Sequence, residues 1–154
     1  MRARDVATEY ETVGLDADAL DAARLMAEHR LPALLVVDEL GAPKAILPAS
    51  QMIKTLVPEY VVEDPALAAV VDERHADRLC LALQGRKVRD CLPKTTPPLV
   101  VAAPDDTALE IAAQMARARS PLVAVVDHDK ADPRLLGVIT ASHLLERLLA
   151  VTSG

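Results

Sequence analysis

The stretch Asp16–Asp38, DADALDAARLMAEHRLPALLVVD, decides the fold of this chain, because the chain repeats it near its end. Asp105–Asp127 reads DDTALEIAAQMARARSPLVAVVD, and the two stretches align from end to end without a gap. The residues that are identical at matching positions are alanines, a leucine, a methionine, an arginine, a proline and a final Val-Asp. An ungapped internal match of this kind indicates a duplicated structural unit.

Each copy predicts an amphipathic helix that stops at a proline. Asp18 and Thr107 are suited to be the N-cap residues, and Glu110 completes a T-x-x-E capping box. Pro32 and Pro121 prevent each helix from running on. Apolar residues spaced at i, i+3, i+4 and i+7 place one buried stripe on each helix: Ala19, Ala22, Ala23 and Met26 in the first copy, and Ala108, Ile111, Ala112 and Met115 in the second.

Short strands are predicted around each helix. Ala33–Asp38 and Leu122–Asp127 are apolar on both faces, so both faces must be covered, which favours a layered α/β arrangement. The order in each copy is therefore β-α-β-β-α, and the fold class is α/β (α+β). The other predicted elements are the strands Thr12–Leu15, Lys44–Leu47 and Leu135–Thr140 and the helices Ala49–Leu56 and Ala141–Leu149.

The duplication sets the domain boundaries at residues 1–57 and 88–154. The triplet Arg4-Asp5-Val6 recurs as Arg89-Asp90-Cys91, so the repeat includes the short arm that precedes each copy. Residues 58–87 have no counterpart and predict a helical connector that ends near Gly85. Its expected apolar face consists of Leu67, Val70, Val71, Leu79, Ala82 and Leu83.

Composition excludes several function classes. Hydrophobic residues make up 51% of the 154 residues, which is enough for a sizeable core, whereas aromatic residues make up 1%. The net charge of −6 and the lack of aromatic platforms argue against nucleic-acid binding. Without a signal peptide or a membrane-length apolar run, we expect a soluble cytoplasmic protein. Cys80 and Cys91 match no metal or redox motif, and we expect no metal site.

The ordered set of elements, present twice, resembles the CBS domain pair, also called the Bateman module. The strongest pieces are DDTALEIAAQM, the strand that ends in VVD, and Gly137–Leu145, GVITASHLL. The resemblance implies two copies packed about a pseudo-twofold axis, with clefts between them for adenine nucleotides or S-adenosylmethionine. It also implies a stand-alone regulatory module with no required cofactor, which forms a homodimer and acts on a separate enzyme or transporter. No nucleophile elbow, P-loop or dinucleotide fingerprint points to an enzyme.

The resemblance also implies three groups of ligand-binding residues. One is the segment that leads into the second strand of each copy, whose backbone faces a base and whose arginine faces a phosphate. Another is the apolar run that enters each copy, and the third follows the family pattern G-h-x-T/S-x-x-D. The residues assigned in this way are His29, Arg30, Leu31, Pro32 and Ala33, then Arg119, Ser120, Pro121 and Leu122, then Val101, and finally Gln51, Thr140 and His143.

The sequence departs from the family pattern at the ribose-binding carboxylate. The second copy keeps Thr140 but has His143 in place of the Asp, and the first copy has Pro48 and Gln51. Loss of one charged hydrogen bond, worth roughly 1.5–3 kcal/mol, weakens binding at least about tenfold. We therefore rank the Thr140 and His143 site above the Pro48 and Gln51 site. The alternative function is a ligand-free scaffold for dimerisation or docking.

Several residues also have a structural interpretation. Arg30 and Arg119 either contact a phosphate or complement a helix dipole from solvent. His143 is either a ligand contact or an ordinary residue at the start of a helix. Asp38 and Asp127 end their strands, and we expect them to bond to the backbone of the following turn.

Overall fold

The computed structural model describes residues 1–69, 78–95, 99–128 and 134–150. Its elements are, in chain order, α1 Ala3–Val6, β1 Thr12–Gly14, α2 Ala19–Glu28, β2 Ala33–Val37, β3 Pro43–Pro48, α3 Ala49–Leu56, α4 Glu59–Glu63, two 3₁₀ helices Pro65–Ala69 and Leu79–Leu83, α5 Val88–Cys91, β4 Val101–Ala102, α6 Ala108–Ala118, β5 Leu122–Asp127, β6 Arg134–Thr140 and α7 Ala141–Ala150.

Two three-stranded sheets carry the repeat. Their strand orders are β1-β2-β3 and β4-β5-β6, so the central strand of each sheet is the apolar one that follows the proline. In the second sheet β5 pairs parallel to β4 and antiparallel to β6, with an irregularity between Val125 and Val126. The predicted α/β class and the β-α-β-β-α order are confirmed. The pseudo-twofold packing of the copies and the boundaries at 57 and 88 stay predictions.

The helix starts are those that the sequence predicts. The Asp18 carboxylate accepts a hydrogen bond from the Asp21 backbone N–H at 3.0 Å, and Thr107 Oγ1 accepts one from Glu110 N–H at 3.2 Å. Each side chain satisfies a backbone donor that has no partner within the helix. The Thr107 hydroxyl also lies 3.2 Å from Glu110 Oε1, so the two side chains of the predicted capping box contact each other.

Both repeated helices end in the same left-handed turn, which the sequence did not predict. Arg30 and Arg119 have φ values of 52° and 51°, in a region that residues other than glycine rarely adopt. Beyond each arginine, the backbone N–H of the next residue bonds back into the helix, from Leu31 to Met26 O at 2.9 Å and from Ser120 to Met115 O at 3.3 Å. This bond closes a Schellman-type end and turns the chain toward the central strand.

The chain divides into two compact units, and the first draws on Met1–Thr12, Leu35–Ile46 and Pro97–Gly154. Here α1 lies on the turn before α6: Ala3 N–H donates to Asp106 O at 2.8 Å, and the Arg4 guanidinium pairs with the Asp105 carboxylate. The core of this unit is a cluster of Ala3, Val6, Ala102, Ile111, Met115, Val123, Val125, Ile139 and Leu144.

The first unit also contains one close backbone approach. Thr8 and Val138 exchange two backbone hydrogen bonds, of 3.0 and 2.9 Å. A Cβ atom on the neighbouring Gly137 would lie 2.8 Å from the Thr8 carbonyl oxygen, which is closer than a carbon can approach. Glycine is therefore required where the N-terminal segment runs along β6.

The second unit comprises Val13–Leu34 and Leu47–Thr96, and it repeats the arm contact. Here α5, which precedes the second copy, lies on the turn before α2 of the first copy. Val88 N–H donates to Ala17 O at 2.9 Å, and Arg89 Nη2 lies 2.6 Å from Asp16 Oδ1. Each arm thus packs on the copy to which it does not belong in sequence, through an equivalent arginine–aspartate pair.

The connector differs in part from its prediction. Its described residues form α4 and the two 3₁₀ helices, while Val70, Val71 and His75 lie outside the described residues. Leu83 is buried as predicted, but Leu67 and Ala82 are exposed, so the expected single apolar face is wrong at these positions. A 3₁₀ helix has three residues per turn, and it rotates side chains away from a stripe spaced for an α-helix.

Candidate functional site

The end of the second sheet brings together the predicted residues of the second copy. Leu122 at the start of β5 is paired with Thr140 at the end of β6. Immediately beyond the strands, Ala141 N–H donates to Pro121 O at 3.0 Å. The segment before β5 therefore lies beside the start of α7, and two groups of predicted residues that are distant in sequence become neighbours.

Thr140 is the N-cap of α7. Its Oγ1 accepts the backbone N–H of His143 at 3.1 Å and lies 3.4 Å from Ser142 Oγ. A hydroxyl has one donor and two acceptor positions, so these contacts leave capacity for a ligand. Ser142 was not a candidate from the sequence, where it is an unspecified position of the family pattern, yet it adds a second exposed hydroxyl.

His143 is partly exposed, with 31% of its side chain accessible. Its Nδ1 lies 3.8 Å from Glu146 Oε2, one helical turn further on, and this contact is an ion pair only when the imidazole is protonated. A histidine here can donate or accept a hydrogen bond, unlike the carboxylate of the family pattern, which only accepts.

The residues before β5 and their neighbours differ in what they can offer a ligand. Arg119 is exposed and in the left-handed conformation, so its side chain extends into solvent. Ser120 Oγ donates to Leu122 O at 2.7 Å and lies 3.4 Å from Leu122 N, so it fixes the local backbone. The Leu122 side chain is fully buried, and Val101 pairs with Ala124 on the neighbouring strand. Leu122 can therefore offer a ligand little beyond its backbone.

At the corresponding end of the first copy, the polar groups form hydrogen bonds with other groups of the protein. Ala49 N–H donates to Pro32 O at 3.0 Å, which repeats the contact of the second copy. Gln51 Nε2, however, donates to Cys91 O at 3.1 Å and so fastens α3 to α5. Pro48 is the N-cap of α3 and has no side-chain cap. No local sequence signal indicated that Gln51 would bond to the second arm.

The remaining candidates of the first copy precede β2. His29, Arg30 and Pro32 are exposed and Leu31 is partly buried, whereas Ala33 is fully buried. The two arginines thus occupy equivalent exposed positions at the ends of α2 and α6.

Two groups away from these ends have shifted pKa values. Hydrogen bonds from the Ala42 and Leu40 backbone N–H groups, both 2.9 Å, lower the pKa of Asp38 below 3.8, with Lys44 adding to the effect. The predicted turn contact of Asp38 is confirmed. Burial raises the pKa of the Cys91 thiol above 9.0, which keeps it protonated at neutral pH.

Within the described ranges, no group of three or more histidine, cysteine, aspartate or glutamate residues is placed to hold a metal ion. Over the same residues, none of the helices combines the length and the apolar character that crossing a membrane requires.

The family model of the CBS domain matches residues 3–57 and 88–150, which together are more than half of the chain. The chain belongs to the CBS domain family. A solved CBS-domain protein of unknown function from Kribbella flavida is 49% identical, with 97% of this chain and 99% of that chain covered and a TM-score of 0.84.

Two more distant CBS structures share the fold. One is CBSX2 of Arabidopsis thaliana in complex with AMP, at 19% identity, with 98% of each chain covered and a TM-score of 0.68. The other is the CBS domain pair of protein MJ0100 in complex with 5′-methylthioadenosine and S-adenosylmethionine, at 18% identity, with 99% and 98% covered and a TM-score of 0.64.

Proposed function

We propose that this CBS protein is a regulatory module that binds an adenosine-containing ligand at the end of its second sheet and acts on a separate partner protein. The observation that carries the proposal is the hydrogen bond between Ala141 N–H and Pro121 O, which holds the Ser120–Leu122 segment beside Thr140 and His143. Two proteins of the same fold, CBSX2 and MJ0100, bind AMP and S-adenosylmethionine, respectively.

The chemistry at this end suits a ligand that has both hydroxyl and phosphate or other charged groups. Thr140 and the exposed Ser142 offer two hydroxyls that can donate or accept. Arg119 offers a planar donor fork that matches a phosphate or carboxylate. His143 replaces the carboxylate of the family pattern, so a ribose hydroxyl that donates to it makes an uncharged hydrogen bond, worth less than a charged one.

Regulation would follow from a population shift. A ligand can shift the equilibrium between two conformations of a protein only to the extent that its affinities for them differ. In the first unit, β6 connects the proposed binding end to the N-terminal segment. Thr140, at the end of β6, belongs to the binding end, and Val138 of the same strand exchanges backbone hydrogen bonds with Thr8. A partner that contacts the N-terminal segment would sense occupancy through β6.

Thermal unfolding with AMP, ADP, ATP and S-adenosylmethionine tests the proposal. A ligand present at about one hundred times its dissociation constant adds about 2.7 kcal/mol to the free energy of unfolding. For a chain of this size we expect the melting temperature to rise by several degrees. Thr140→Val should remove most of the shift, whereas Ser50→Ala, the change at the position of the first copy that matches Ser142, should leave it intact. The absence of a shift with all four ligands at millimolar concentration would contradict the proposal.

The second candidate function is a CBS scaffold that binds no ligand and serves for dimerisation or docking. One specific observation favours it: the first copy lacks the cap hydroxyl, and its Gln51 amide is bonded to the Cys91 carbonyl. If the second copy is equally closed to ligands, titration calorimetry with the same four compounds will detect no binding heat while the protein remains folded.

A further inference from the structure

The connector between the two copies begins with a helix that buries none of its residues, α4 Glu59–Glu63. Its sequence, EYVVE, nevertheless contains two valines and one of the two aromatic residues of the chain. Tyr60 is 54% exposed and Val62 is 45% exposed. The 3₁₀ helix Pro65–Ala69 packs against α4 and adds Leu67, which is 37% exposed. Several exposed apolar residues close together indicate an interaction surface, whereas single ones do not.

Three carboxylates accompany these apolar side chains. Glu59 and Glu63 are four residues apart and therefore lie on one face of α4, and Tyr60 is a neighbour of Glu63 at a spacing of three. Asp64 follows directly, and residues 57–69 contain no lysine, arginine or histidine. None of the salt bridges formed by the described residues involves these three carboxylates. Their charges are therefore not compensated within the described part of the chain.

The six residues that form this acidic and apolar surface are named together as the connector patch: Glu59, Tyr60, Val62, Glu63, Asp64 and Leu67.

Local hydrogen bonds order the backbone of the connector patch. Val62 N–H donates to Pro58 O at 3.2 Å, which closes the first turn of α4. Asp64 N–H donates to Tyr60 O at 3.1 Å, which closes the second turn. The Asp64 carboxylate then accepts the Ala66 N–H at 3.3 Å at the start of the 3₁₀ helix. A surface that is ordered before binding loses less conformational entropy when a partner covers it.

The charge of the patch restricts what can cover it. Carboxylates repel the phosphates of nucleic acids and of anionic membranes, and they attract a cationic partner. The ring of Tyr60 also attracts a lysine or arginine placed over its face. Along the axis of α4, Glu59 and Glu63 are about 6 Å apart, and this spacing matches two cations four residues apart on a helix that packs alongside. The exposed valine and leucine require apolar side chains on the same partner.

We propose that the connector patch docks a basic amphipathic helix of the partner protein, with apolar side chains on Tyr60 and Val62 and with lysines or arginines at Glu59 and Glu63. The proposal names the chemistry of the partner and rests on the function proposed above for the existence of one. The patch belongs to the second unit, whereas the proposed ligand-binding end belongs to the first. Partner docking and ligand binding therefore use different residues.

Fluorescence anisotropy with a labelled leucine–lysine peptide tests the proposal on the full chain. The peptide has about 15 residues, enough to form a helix on binding, and all its leucines lie on one face. We expect a dissociation constant on the order of 10 µM, and binding at least about tenfold weaker for a peptide of the same composition without an apolar face. Equal affinities would show that net charge alone attracts the peptide and would overturn the proposal.

A matched pair of charge variants locates the contact. Glu59→Lys/Glu63→Lys should weaken peptide binding at least about tenfold, because two attractive pairs become repulsive. Glu9→Lys/Glu11→Lys changes the net charge by the same amount at two exposed carboxylates beside Tyr10, the other aromatic residue, and should leave most of the affinity. Equal weakening by both variants would contradict docking at the connector patch.

A pair of substitutions at Tyr60 tests the apolar part of the patch. Tyr60→Ser removes the ring and should weaken peptide binding several-fold, whereas Tyr60→Phe keeps the ring and should retain binding. Amide NMR spectra confirm that each variant is folded. In the unmodified chain, the largest peptide-induced shifts should fall on residues 59–67, and largest shifts at another surface would overturn the proposal.

A second copy of the chain is the rival occupant of the connector patch. If another copy covered the patch, the peptide would not bind, and Glu59→Lys/Glu63→Lys would lower the mass found by sedimentation velocity. That result would also overturn the proposal. The peptide is titrated without nucleotide, so a chain that binds no peptide but is stabilised by AMP refutes this docking surface alone, and the opposite result refutes ligand binding alone.

Discussion

The helix that follows the sheet starts in two different ways in the two copies. In both, an alanine N–H bonds at 3.0 Å to the carbonyl of the proline before the central strand, Ala49 to Pro32 and Ala141 to Pro121. Thr140 caps its helix with a hydroxyl, whereas Pro48 provides no side-chain cap. The two copies therefore share the backbone hydrogen bond at this helix start, whereas only the second copy has a capping side chain.

A substitution at Gly137, in the second copy, should have the largest effect on the free energy of unfolding. Gly137→Ala places a Cβ 2.8 Å from the Thr8 carbonyl oxygen, so the backbone must separate and the Thr8–Val138 pair is strained. We expect a loss of about 1–3 kcal/mol in the free energy of unfolding, as for other overpacked sites. Urea unfolding measures the loss.

Gly14→Ala is the matched control, because a Cβ at Gly14 has no atom within 4 Å. It should change the free energy of unfolding far less than Gly137→Ala does. Equal losses in the two variants would contradict the contact with Thr8 as the cause, because replacing glycine by alanine lowers the entropy of the unfolded chain and by itself stabilises the fold.

Removal of the cap hydroxyl of Thr140 should have the next largest effect on stability. Thr140→Ala removes the acceptor for the His143 N–H, and loss of an N-cap costs about 1 kcal/mol. Thr140→Ser keeps the hydroxyl and should retain most of the stability. Thermal unfolding without ligand compares the two variants, and identical melting temperatures would mean that Thr140 does not stabilise α7 and that the copies start their helices in energetically equivalent ways.

The smallest expected effect is at the turn of the first copy. Folding lowers the pKa of Asp38 below 3.8, so its charged form stabilises the native state at neutral pH. This contribution is present above pH 3.8 and is lost as the pH falls through the lower, folded-state pKa. Asp38→Asn should therefore reduce stability at pH 7, and the difference from the unmodified chain should shrink at acid pH. A difference that is independent of pH would contradict this account of the turn.

Much of the local structure could be predicted from the sequence because it depends on residues close together in the chain. The spacing of Ala19 and Met26 predicted α2, Asp18 and Thr107 predicted the helix starts, and Asp38 predicted its own turn. The bounds of β5 were predicted at both ends, and α3 was predicted from Ala49 to Leu56. These features follow from periodicity and capping, which act over a single helical turn.

The candidate site was only partly predictable. The resemblance identified Thr140, His143 and the segment before β5, and the register of β5 with β6 brings them together. The burial of Leu122 agrees with the prediction that both faces of its strand are covered. The bond from Gln51 to Cys91 could not be inferred, because it depends on which distant backbone lies nearby.

The sequence by itself determined that this protein is built from a duplicated unit of two helices and three short strands, since apolar spacing and capping residues are encoded locally. Only the tertiary structure decided that Arg4 pairs with Asp105 and Arg89 with Asp16, so that each arm packs on the other copy. The two arms and the two turns carry the same residue types, and local pattern cannot distinguish the two pairings. The choice between them depends on the closure of the intervening chain and on the core that each arm completes.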